Sequence, residues 1–118
     1  MVRAVIVDDH PMVRQALVRI LKDMGGIQIV GEAGTAAEAI EQVSRCRPNL
    51  LLLDLRLPDR DGFEVLAQVL AWPDPPRVLV CSMHESAQYG VRALQAGASG
   101  YLEKTAEPSE IARAVRLV

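Results

Sequence analysis

The sequence predicts a single α/β domain, a parallel sheet doubly wound with helices on both faces, and three observations predict it. Short apolar runs alternate with helical patterns five times along the chain. The first, third and fourth of these runs, "VRAVIV", "NLLLLD" and "PRVLVCS", lack the period-two alternation of a half-exposed strand, as expected of central strands buried on both faces. The length, 118 residues, suits one domain with a full core and no need of disulfides or a structural metal.

In chain order, "VRAVIV" is the first strand. Val13, Leu17, Ile20, Leu21 and Met24 then fall at helical spacing, and Gly25-Gly26 stops that first helix. "IQIVGEA" is the second strand. The second helix opens with "TAAE", Thr35 to Glu38, the pattern in which a hydroxyl and a carboxylate cap the first turn reciprocally, and it ends before Pro48. "NLLLLD" is the third strand, followed by a helix from about Gly62 to Ala71 and the proline-rich turn "WPDPP". "PRVLVCS" leads into a helix from about Glu85 to Ala96 that closes on Gly97. "SGYLEK" is the fifth strand, and a last helix starts at "EPSE", where Pro108 suits the first turn. Val115 and Val118 still keep helical spacing with Ile111 when the sequence stops, so the chain is expected to be cut from a longer protein.

Composition narrows the function. Hydrophobic residues make up 50% of the chain and charged residues 24%, with a net charge of −2, a balance of globular rather than disordered sequence. The concentrated basic surface of a nucleic-acid binder is missing, so any DNA function is expected outside this chain. No apolar run approaches the roughly 20 residues of a membrane span, and the N-terminus reads as a strand rather than a signal peptide. A cytoplasmic protein is expected. Cys46 and Cys81 belong to no CxxC motif and read as small hydrophobes.

In open α/β sheets ligands bind outside the carboxyl ends of the strands. The first run ends in Asp8-Asp9, the third in Asp54, the fourth in Ser82 and the fifth in Lys104. Right-handed winding sets strands one, three, four and five side by side. Three carboxylates, a hydroxyl and an ammonium then share one pocket. At an effective dielectric near 20, each carboxylate pair about 5 Å apart costs roughly 3 kcal/mol, more than one lysine offsets. A divalent cation held by few oxygens and water, Mg²⁺, answers that need, with the Arg56 backbone carbonyl available to complete its coordination. Metal, lysine and hydroxyl are the parts used in phosphoryl transfer, and Asp54 is the natural nucleophile. Taken singly, each residue has a plainer reading: an aspartate ending a strand often caps the next helix, a serine often turns the chain, and a lone lysine is usually solvated.

"VIVDDHPMVRQAL", "LLLLDLRLPDRDGFEVL", "VLVCSMHE" and "GASGYLEK" resemble the receiver domain of two-component response regulators over the whole chain, and "DDHPMVR" with "AGASGYLEKTA" is most similar to the NarL/LuxR-type subclass. The resemblance implies a flavodoxin-like fold of strand order 2-1-3-4-5. It implies Asp54 as phosphoacceptor, with Asp9, Asp54 and the Arg56 carbonyl as direct Mg²⁺ contacts and Asp8 acting largely through a bound water. Ser82 is then the switch hydroxyl, Lys104 the phosphoryl contact and Tyr101 the switch aromatic. The implied partners are a sensor histidine kinase, a second copy in a homodimer, and the protein's own C-terminal helix-turn-helix DNA-binding domain. Thr105 stands where many receivers carry a proline after a cis bond; before a non-proline residue that bond costs about 2.5 to 4 kcal/mol, and the subclass commonly lacks the proline.

Several further residues carry expectations. His10, beside two acids, is a conceivable metal ligand but is read as starting the loop into the first helix with Pro11. Arg56 and His84 flank the site and are expected to tune dephosphorylation. Gly90, in mid-helix, marks either a marginal switch helix or close packing. Arg14, Gln15, Val18 and Arg19 are expected on the outward face of the first helix, toward a kinase, and Arg113, Arg116 and Leu117 on that of the last. Two other functions compete. An aspartate-dependent phosphatase resembling the haloacid dehalogenase family would place a second acid where Arg56 stands and would need a cap. A nucleotide or flavin domain would need a glycine-rich phosphate loop, whereas "VDDHPM" repels phosphate.

Overall fold

The leucines of "LLLL" alternate between two cores. In a computed structural model, which describes residues 1–82, 87–103 and 106–118 and, of 87–89, the backbone alone, they form strand β3 (Leu50–Asp54), buried along its whole length. Successive strand side chains point to opposite faces. Leu51 and Leu53 therefore enter one apolar cluster, while Leu50 and Leu52 enter the other. This is why the run shows no alternation of polarity: both faces of the strand are covered.

Four further strands lie parallel to it: β1 (Val2–Val7), β2 (Ile27–Ala33), β4 (Arg77–Ser82) and β5 (Gly100–Glu103). The order across the sheet is β2-β1-β3-β4-β5, which puts the three unalternating runs in the middle. The helices are α1 (Pro11–Met24), α2 (Ala36–Cys46), α3 (Gly62–Leu70), α4 (Ala87–Gln95) and α5 (Pro108–Leu117). Leu17 and Leu21 of α1 and Ile111 and Val115 of α5 pack with Ala4, Ile6 and Leu79 on one face. Val43 of α2, Val65, Leu66 and Val69 of α3 and Ala93 of α4 pack with Val5, Val7, Val78 and Val80 on the other. The sheet is thus doubly wound, as the alternation of runs requires.

Local signals place the ends of the elements. Gly25 and Gly26 adopt φ of 73° and 75°, a left-handed backbone that glycine takes without steric cost, and α1 stops there. The Thr35 hydroxyl accepts from the Glu38 amide (3.1 Å), and the Glu38 carboxylate reaches back to the Gly34 amide (3.1 Å) rather than to that of Thr35. The expected start of α4 at Glu85 and the end of the fifth run at Lys104 lie outside the described residues, as do His84 and the Lys104-Thr105 bond.

Register sets the geometry of the strand ends. Val7 pairs with Leu53, Asp54 with Cys81 and Ser82 with Glu103. One residue beyond the first pair, Asp8 and Asp54 emerge from adjacent strands at the same edge.

Candidate functional site

Asp8, Asp9, His10 and Asp54 each offer a ligand atom, and these atoms lie within 4.8 Å of one another. Asp8 is fully buried and Asp54 is 3% exposed. Both carboxylates are held by the chain that follows them. Asp8 Oδ1 accepts from the His10 amide (2.8 Å) and Asp54 Oδ1 from the Arg56 amide (3.1 Å). Such turns, in which an aspartate takes the amide two residues on, fix a side chain at a strand end. Asp9 differs. Its Oδ1 is enclosed and accepts no hydrogen bond among the described residues, although His10 Nδ1 lies 2.9 Å away, outside hydrogen-bond geometry, and 3.4 Å from Asp8 Oδ1.

An enclosed oxygen without a donor, beside two further carboxylates, forms a donor set suited to a hard divalent cation. The residues present therefore fit the group that the acidic pocket calls for. His10 supplies the N-cap backbone of α1, with extended dihedrals and no side-chain cap, so its imidazole is left to face the acids. The sequence reading of His10 as the start of the loop holds for its backbone, while its imidazole lies among the acids, where the other reading, a metal ligand, would put it.

Ser82 ends β4 with 1% exposure, at the same edge of the sheet. Tyr101 is partly buried on β5. Its ring lies against Gly90 of α4, where an added Cβ would stand 3.3 Å from Tyr101 Cδ1. Of the two readings of Gly90, close packing is thus observed. Arg56 is exposed and bridges to Asp61 across the β3–α3 loop. Lys104 lies outside the described residues.

The outward face expected on α1 needs correction. Gln15 and Arg19 are exposed, but Arg14 and Val18 are half-buried. The Arg14 guanidinium donates to the Asp8 carbonyl (2.6 Å) and to Glu32 of β2 (3.2 Å), and Val18 packs against the α1/α5 core. Helical spacing counts residues on the helix alone and cannot register that β2 reaches up to meet Arg14. On α5, Arg113, Arg116 and Leu117 are exposed as expected.

One residue escaped the sequence reading altogether. Asp59, in the β3–α3 loop, accepts from the amides of Ala36 (2.7 Å) and Ala37 (3.0 Å) at the start of α2. Those two donors, Ala36 first, hold its carboxyl below the ordinary aspartate range. Nothing in "LPDRDG" announces a partner 23 residues away.

A family model described as the response regulator receiver domain matches residues 4–116. Among curated proteins, the chain is 42% identical over 114 residues to the "Probable transcriptional regulatory protein NarL" of Mycobacterium tuberculosis, covering 97% of this chain and 53% of that protein. The chain thus spans about half the length of such relatives. Among solved structures, the signal receiver domain of a NarL response regulator from M. tuberculosis is 42% identical, with a TM-score of 0.90 over 98% of this chain and 93% of that one. A two-component response regulator of the LuxR family from Aurantimonas sp. SI85-9A1 is 34% identical, with a TM-score of 0.92 over 98% of this chain and 83% of that one.

Proposed function

The chain belongs to the response regulator receiver family, and on that premise we propose that Asp54 takes a phosphoryl group from a phosphohistidine of a sensor kinase. One Asp54 carboxylate oxygen attacks phosphorus and forms the P–O bond. The P–N bond breaks, its electron pair returns to the donor imidazole, and that nitrogen takes up a proton. The observation that supports this reading is the gathering of Asp8, Asp9 and Asp54 at one edge of the sheet.

Asp54 is suited to the role of nucleophile because its rotamer is set twice, by burial at the end of an apolar strand and by the Arg56 amide. Asp9, Asp54 and the Arg56 carbonyl would hold Mg²⁺, with Asp8 acting largely through water, and the bound ion would neutralise charge on the phosphoryl oxygens. Lys104 contributes the second cation. The Ser82 hydroxyl turns to meet the phosphoryl group, and Tyr101, already against α4, moves with it. Phosphorylation is thereby read out at the α4 surface. The domain acts as a switch whose only catalysis is its own phosphorylation, small phosphodonors included, and slow hydrolysis, with Arg56 and His84 tuning access of water. In the full protein the switch regulates a C-terminal helix-turn-helix DNA-binding domain in the cytoplasm, with homodimerisation through exposed helix faces. Among the described residues no helix is long and apolar enough to cross a membrane.

Incubation with Mg²⁺ and a small acyl phosphate, followed by intact-mass measurement, tests the proposal. The wild type gains the mass of one phosphoryl group and Asp54→Asn gains none. Labelling that survives the substitution overturns the assignment of Asp54, and rapid continuous hydrolysis of the donor replaces the switch with a phosphatase.

A further inference from the structure

The β3–α3 loop is closed at its base. The Gly62 amide donates to the Leu55 carbonyl (2.8 Å), and Arg56 bridges Asp61. Its far end is fixed by Asp59, whose two carboxylate oxygens accept from the first two amides of α2. That helix has a cap of its own in Thr35 and Glu38, which serve the Glu38 and Gly34 amides. Asp59 is therefore not the sole cap of α2. It joins the loop entering α2 to the β3–α3 loop.

One of those loops follows Asp54 directly, and the other is tied by a backbone hydrogen bond to the segment that carries Asp8 and Asp9. The segment entering α2 follows Ala33, whose carbonyl accepts from the Asp8 amide (2.9 Å). The β3–α3 loop begins at Asp54 and carries the Arg56 carbonyl. We infer that Asp59 is a positioning residue: by bridging the Ala36 and Ala37 amides to the β3–α3 loop, it fixes the Arg56 carbonyl relative to Asp8 and Asp9 and so sets the affinity of the site for its divalent cation. The inference rests on the proposed role of that carbonyl as a ligand. A carboxylate at a helix N-terminus is held by both the amides and the dipole, which makes it a firm link even where solvent reaches it. Partners outside the ligand set commonly govern metal affinity in this way.

Calorimetric titration with Mn²⁺, together with urea denaturation, tests the inference on wild type, Asp59→Ala, Asp59→Asn and Thr35→Ala. Thr35→Ala weakens the same helix end without touching the link. Asp59→Ala is expected to weaken Mn²⁺ binding about tenfold, and Asp59→Asn, which keeps one acceptor oxygen, by less. Thr35→Ala should lower the urea midpoint and leave affinity unchanged. Amide exchange at Arg56 should quicken in the Asp59 variants alone. Wild-type affinity in both Asp59 variants overturns the inference, as does a loss of affinity in Thr35→Ala that matches its loss of stability. A wild-type chain that takes up no Mn²⁺ overturns instead the cation-dependent reading beneath it.

Discussion

Gly62→Ala puts the link between fold and site to a quantitative test. A Cβ at Gly62 would stand 2.7 Å from the Asp54 carbonyl oxygen and 2.8 Å from the Leu55 carbonyl carbon, and closer still to Leu55 Cα. Ordinary carbon contacts are about 3.5 to 4.0 Å. Every neighbour is backbone, so no rotamer change relieves the clash and the end of β3 must move. Small-to-large changes in packed interiors cost about 1 to 3 kcal/mol, and this one belongs at the upper end. Alanine returns at most about 1 kcal/mol of helix propensity, which leaves a net loss of about 2 kcal/mol. With a urea m-value of about 2 kcal/mol/M, the midpoint should fall by roughly 1 M. Because the displaced atoms belong to Asp54 and Leu55, Mn²⁺ affinity should fall as well. An unchanged urea midpoint would refute the reasoning, and lost stability with wild-type affinity would separate the fold from the site.

Other expectations follow from single contacts. Gly90→Ala gains about 1 kcal/mol of helix propensity but presses on Tyr101 Cδ1 from 3.3 Å; thermal unfolding should show a smaller net gain, with shifted Tyr101 ring resonances, and a clear loss of stability would mean that the ring cannot yield. The Asp59 carboxyl is held below its ordinary value by the Ala36 and Ala37 amides, so its contribution is present above the unfolded pKa and is lost as pH falls through the folded one. Urea midpoints of wild type and Asp59→Asn should therefore differ at neutral pH and converge below about pH 4; a constant difference would contradict this. Arg56→Ala keeps the backbone carbonyl, so cation affinity should hold while the phosphoryl lifetime changes, and an unchanged lifetime would remove Arg56 from any role in dephosphorylation.

The fold was legible wherever burial alone decides the residue type. "LLLL" and "VRAVIV" declare strands covered on both faces; right-handed winding sets β1, β3, β4 and β5 side by side, and the full β2-β1-β3-β4-β5 order is the one that the resemblance to receiver domains implied. The acidic edge was legible for the same reason: an apolar strand that ends in a carboxylate delivers it to the rim, and adjacent strands deliver Asp8 and Asp54 side by side. What stayed hidden depends on contacts between distant segments. Arg14 meets the Asp8 carbonyl and Glu32, Asp59 crosses to α2, and Gly90 takes its meaning from Tyr101. Arg14 and Asp59 look ordinary in their own segments, and Gly90, a mid-helix glycine, left two readings open. The partner is set by how the elements are stacked, and local spacing carries no record of it. The His10 backbone was readable from its neighbours, whereas the placing of its imidazole beside Asp8 and Asp9 depends on how the strand end turns into α1.

The central claim is that Asp54, and no other acid at this edge, receives the phosphoryl group. Borohydride reduction converts an aspartyl phosphate to homoserine and thereby marks the residue that carried it. After incubation with Mg²⁺ and a small acyl phosphate, reduction and peptide sequencing by mass spectrometry should place homoserine at position 54. Homoserine at position 8 or 9, or none in a chain that has gained a phosphoryl group, would contradict the claim.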